Sequence, residues 1–188
     1  MGSNLRYSPL EYNSADERFE LDGEIIGWRG EMIPSPIIAA NCTYQSTIER
    51  SADIIKTTIV IDLVGLTSIT TNGDIIGAAG VCHIGQITTA KNGIIVAGQV
   101  GCAVVPTTGD DDIDIYSATE GTGAYDAAIS GLAETALVTS GGAYAIGTVK
   151  PFTALPVANS YLYLTTGDTT AGAYGAGRII IEMWGTVA

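Results

Sequence analysis

Thr57-Thr58-Ile59-Val60-Ile61-Asp62-Leu63-Val64 is the stretch on which the fold turns. β-Branched side chains lose rotamer freedom in a helix and fit a pleated surface, so the run reads as a strand. The same chemistry pervades the chain. Ile, Val and Thr supply 57 of the 188 residues against 10 Leu, and 24 Gly punctuate them, which makes an all-β fold the expectation.

Downstream, residues 81–88 and 94–100 flank Lys91-Asn92-Gly93, a turn sequence that tolerates positive φ, and predict a β-hairpin. Its second strand continues until Pro106 stops it. Asp112-Ile113-Asp114-Ile115-Tyr116 alternates with the strand period, placing Ile113 and Ile115 on one face and the acids on a wet one. Residues 125–132 are the only predicted helix of this part. Residues 135–139, 143–149, 160–165 and 178–184 complete a set of about eight strands. That set predicts an antiparallel two-sheet sandwich, jelly-roll-like. No internal repeat of the length that builds propellers or solenoids is present.

Upstream, the character changes. The first 56 residues hold 9 acidic and 5 basic residues and three of the six prolines, so 1–56 reads as an extended N-terminal arm and 57–188 as the sandwich body. Within the arm, Arg18-Phe19-Glu20-Leu21, the turn Asp22-Gly23 and Glu24-Ile25-Ile26-Gly27-Trp28 predict a short hairpin. Pro34 and Pro36 keep residues 32–38 extended. Residues 46–56 read as a short helix or linker, because Ser46 and Ser51 can cap a helix.

A formal net charge of −12 repels phosphate backbones and anionic lipid, so neither nucleic acid nor a membrane is an expected partner. With 46% hydrophobic and only 15% charged residues, and a mean hydropathy of +0.30, apolar surface is left over for protein contact. No window has the length and apolarity of a membrane helix, and the start lacks a signal-peptide pattern. Cys42, Cys82 and Cys102 cannot all pair within one chain and form no Cys-x-x-Cys; they read as small buried hydrophobes of a protein made in a reducing cytosol.

Groups that could be activated are few. His83 is the one histidine, which excludes a histidine metal cluster; on its strand it reads as structural, with Cys82 on the opposite face. Asp110-Asp111-Asp112-Ile113-Asp114 could hold a hard cation but departs from the helix-loop-helix calcium loop, and is expected to be a solvated turn. Gly121-Thr122-Gly123 lacks the third glycine of a dinucleotide loop. Asn41-Cys42-Thr43 matches the glycosylation tripeptide by chance. No catalytic residue, metal ligand or cofactor is expected. The arm is more informative: Tyr7, Tyr12, Phe19, Leu21, Ile25, Trp28 and Ile33 are candidate anchors for a partner's pockets.

The body also resembles small virion structural proteins of tailed bacteriophages, of the head decoration or cement type. The resemblance rests on Ile61-Asp62-Leu63-Val64-Gly65-Leu66, on Asp112-Ile113-Asp114-Ile115-Tyr116-Ser117-Ala118-Thr119-Glu120-Gly121-Thr122-Gly123, on Thr139-Ser140-Gly141-Gly142, on Tyr161-Leu162-Tyr163-Leu164 and on the stretch 178–184. It implies a noncatalytic sandwich, assembled as a homotrimer on the outer capsid surface of a virion. Its partners would be the major capsid protein and copies of itself, and the arm anchors would be capsid-binding. The alternative is a head-fibre or tail-associated module binding host-surface glycans, with Tyr144, Tyr174 and Trp184 exposed to stack on sugars.

Overall fold

The computed structural model describes residues 44–139 and 141–187 in full and, before them, the backbones of three strands, β1 (Glu11–Asn13), β2 (Arg18–Leu21) and β3 (Glu24–Gly30). The chain continues through β4 (Tyr44–Ser51), β5 (Ile54–Asp62), β6 (Thr67–Ser68), β7 (Gly85–Gln86), a single helical turn α1 (Thr89–Asn92), β8 (Ile94–Thr107) and β9 (Ile113–Ala118). It ends through β10 (Glu134–Val138), β11 (Val149–Pro151), β12 (Tyr161–Thr166), β13 (Gly172–Ala173) and β14 (Ala176–Thr186). The fold is all-β with antiparallel sheets. An eight-stranded sheet runs β1-β2-β3-β4-β5-β14-β8-β11, a four-stranded one β10-β9-β12-β7, and β13 pairs with β6.

Alternation explains the large sheet. In β5, Ile55, Thr57, Ile59 and Ile61 are buried while Lys56, Thr58, Val60 and Asp62 face outward; in β14, Ile179, Ile181 and Met183 point in and Ile180, Glu182 and Trp184 point out. The two strands pair from Arg178↔Asp62 to Thr186↔Ile54, which aligns their apolar faces. Those inward residues join Ile113 and Ile115 of β9 and Leu162 and Leu164 of β12 in one buried cluster. Each such side chain, fully buried, contributes about 1.5–3 kcal/mol.

Five local expectations are corrected. Residues 46–56 are neither helix nor linker: β4 and β5 form a hairpin whose register, Ser46↔Ile59 to Ser51↔Ile54, buries Ile48. A long ladder outweighs two possible caps. The turn Lys91-Asn92-Gly93 does not join paired strands either. Thr88 caps α1, its hydroxyl accepting from the Lys91 amide at 3.3 Å, and the Asn92 side chain accepts from the Thr88 amide at 2.8 Å and donates to Thr57 Oγ1 at 2.9 Å. Asn92 is thus fully buried, Gly93 closes the turn at φ +70°, and the strand predicted over 81–88 shrinks to β7, which pairs with β12 in the other sheet. The stretch 143–149 is strand only from Val149, and the helix expected over 125–132 is a 3₁₀ turn at Ile129–Gly131. β8 passes through Pro106 beside a register shift instead of stopping there.

Candidate functional site

The candidate anchors are carried by the first three strands. Tyr12 lies in β1 opposite Phe19 of β2, Leu21 ends β2 opposite Glu24, and Ile25 and Trp28 lie in β3. Trp28 is registered between Arg18 and Arg50, and through the pairing of Arg50 with Trp28 this hairpin continues the large sheet beyond β4. Tyr7 and Ile33 lie outside the described residues, as do the side chains of the other five, residues 32–38 and Cys42.

The acidic run is a correction. Asp110, Asp112 and Asp114 are buried and the wet face expected there does not exist. Asp110 is completely enclosed and acts as a staple. One carboxylate oxygen accepts from the Asp112 amide at 3.0 Å and the other from the Asp168 amide at 2.9 Å. Its own amide donates to Ser68 Oγ at 2.8 Å, and its carbonyl accepts from the Tyr174 hydroxyl at 2.9 Å. Asp114 on β9, and Asp110 and Asp112 just before it, are buried because distant segments cover this stretch, a property that alternation within the strand does not encode.

Beside the staple sits a group that sequence reading missed. Lys150 Nζ lies 4.0 Å from the centre of the Tyr144 ring and donates to the Gly142 carbonyl at 2.9 Å. Burial pushes the Lys150 ammonium pKa down while Asp112 and Asp114 pull it back up; burial pushes the Asp112 carboxyl up, against the attraction of Lys150. The Tyr144 hydroxyl and Asp112 Oδ1 are buried without hydrogen-bond partners. Tyr144 and Tyr174 are only 2% and 3% exposed, so neither can stack on a sugar, contrary to the glycan reading; Trp184 is half-buried with Lys56 Nζ 5.7 Å from its ring centre.

His83 packs at 4.8 Å from the Tyr161 ring and 6.3 Å from that of Tyr163, and burial lowers its pKa. Cys82 and Cys102 are buried free thiols, as small hydrophobes should be, and burial raises both above the ordinary thiol value. Among the described residues no group of three or more His, Cys, Asp or Glu is placed to hold a metal ion.

The outer face of the large sheet is the other candidate. Glu182 bridges Lys56 and Gln99 across three strands, and the Lys56 hydrogen bond, then that of Gln99, hold its carboxyl below the ordinary range. A shallow groove of about 250 Å³ opens beside it, between Ile180 of β14 and Val149 of β11. Ile146, 73% exposed, and Val149, 55% exposed, stand near its rim. Such a surface suits contact better than bond-making. Compared with protein-family models, curated proteins and solved structures, the chain matches none.

Proposed function

We propose that this protein is a noncatalytic capsid decoration protein: a jelly-roll-like sandwich that binds the outer surface of an assembled phage head as a homotrimer and bridges neighbouring capsomers. The observation that carries the reading is the exposed aliphatic surface of the body. Ile54, Ile94, Val96, Ile146, Val149, Leu155 and Val157 all stand more than 40% exposed in a chain with few charges to spare. Surface of that kind is stabilised by being covered. The buried acids support the same reading, because Asp110 spends both its oxygens on backbone amides.

Mechanically, binding to the closed lattice and not to free subunits stabilises the shell by mass action, and repeated contacts multiply through avidity. The first three strands would extend across capsid protein from the edge of the large sheet, with Tyr12, Phe19, Leu21, Ile25 and Trp28, and the flanking Tyr7 and Ile33, as the contact set. The test is occupancy on purified heads. Deleting residues 2–40 should abolish binding and Trp28→Ala should weaken it by about 2 kcal/mol; full occupancy by the deleted protein would refute the assignment.

A further inference from the structure

One end of the large sheet carries an apolar surface distinct from the β11 rim. Ile54 of β5 and Ile94 of β8 are both registered opposite Thr186 of β14, so they flank it on the outer face. They are 45% and 54% exposed. Val96, 50% exposed, lies two residues along β8, and Val187, whose amide donates to the Asp53 carbonyl at 3.0 Å, caps the other flank. Val157, 52% exposed, lies beside Ile94, where Pro156 and Ile87 close an apolar groove of about 220 Å³, and Leu155, 42% exposed, precedes it on the same segment. Six exposed aliphatic side chains thus gather on four chain segments.

The charges at this end differ from those of the whole molecule. Across residues 50–54, 87–96, 153–158 and 184–187 the charged residues are Arg50, Lys91 and Asp53, two bases and one acid, in a chain whose net charge is −12. Another copy approaching elsewhere meets, on average, like charge; here it does not. The end also has two unlike flanks. Asp53 stands with Ile54 and Val187, whereas Lys91 stands on α1 with Ile94 and Val157.

We propose that this end is the contact between copies of the chain, the Ile54–Val187 flank of one copy packing on the Ile94–Val157 flank of the next. That arrangement sets aliphatic on aliphatic and brings Asp53 of one copy toward Lys91 of its neighbour. Flank-to-opposite-flank contacts are heterologous and close into a ring when the rotation closes. The inference rests on the self-assembly part of the proposed function and is separable from the capsid part, since it is measured with no head present.

The experiment is sedimentation of the full-length protein over a dilution series. The unaltered protein should be an oligomer, and the variant Ile94→Asp, Val157→Asp should sediment as a monomer with unchanged far-ultraviolet circular dichroism. Asp53→Lys and Lys91→Asp should each weaken association about tenfold, and the two together should restore it. Backbone amides of residues 153–158 should exchange more slowly at high concentration in the unaltered protein, a measurement that needs no variant. A monomer at every concentration, an oligomer insensitive to all four substitutions, or exchange at 153–158 independent of concentration would overturn the proposal. Self-association without head binding would sink only the capsid reading.

Discussion

β14 and β9 are both core strands, yet they meet water differently. Along β14 burial alternates residue by residue, apolar side chains inward and Arg178, Ile180, Glu182 and Trp184 outward. Along β9 every residue except Tyr116 is buried, including Asp114 and Ser117, and its partner β12 hides Thr165 and Thr166 as well. The large sheet is one-sided, so its polar groups cost little. The β9–β12 pair at the centre of the small sheet is covered on both sides, so each polar group there needs a partner or exacts a penalty. Polar groups of the same type should therefore matter much more on one sheet than on the other.

The sharpest way to break that contrast is Asp110→Ala. It removes a fully buried carboxylate that satisfies two backbone amides and should cost about 3 kcal/mol or more, read as the shift in a urea unfolding midpoint. By contrast Asp62→Ala, which deletes the 2.9 Å pair with Arg178 on the large sheet, should cost less than about 1 kcal/mol. Equal losses would erase the distinction. Next in size is Tyr163→Phe. The hydroxyl donates to the Glu120 carbonyl at 2.7 Å and accepts from the Gly123 amide at 3.2 Å, so its removal should cost about 1–2 kcal/mol.

pH separates the buried stretch leading into β9 from the large sheet by sign. The Asp112 carboxyl lies above its ordinary value of 3.8 because it is buried, so the folded state holds the proton more tightly than the unfolded chain. Its contribution is present below 3.8 and lost as pH rises through the raised folded value. Asp112→Asn should therefore gain stability relative to the unaltered protein as pH rises through that window; parallel stability curves would contradict this. Glu182 runs the other way: held low by Lys56, it contributes above its ordinary value of 4.5 and loses that contribution as pH falls through its lower folded value. Partly exposed and screened, it is the smallest effect, and Glu182→Gln should cost under about 1 kcal/mol at neutral pH and nothing in acid.

The same contrast marks what could be read without coordinates. β5 and β14 were legible because they are rich in β-branched residues and their burial follows a local rule, alternation in a two-residue period. The acids at the start of β9 and just before it were misread because the period is there but the cover comes from elsewhere in the chain, and nothing within Asp112-Ile113-Asp114 announces it. Asn92-Gly93 has the composition of a hairpin turn; only the buried bond to Thr57, 35 residues away, shows that Asn92 closes a helical turn instead. Tyr144 and Tyr174 failed as sugar platforms for a related reason. Their hydroxyls look like surface groups in sequence, yet Lys150 of β11 lies over the Tyr144 ring and Gly109 packs on that of Tyr174. Lys150 left no signal, since a lone lysine before Pro151 gives no hint of the ring it covers.

The position of β14 has a consequence for biosynthesis. This strand sits between β5 and β8, both of which leave the ribosome much earlier, and it supplies the ladder that each needs on its inner edge. Until translation delivers residues 176–186, those two earlier strands expose unpaired amides and carbonyls to the crowded interior of the cell. The nascent polypeptide is therefore most vulnerable to misassociation after β8 has emerged and before β14 has, and folding of the large sheet is gated by β14.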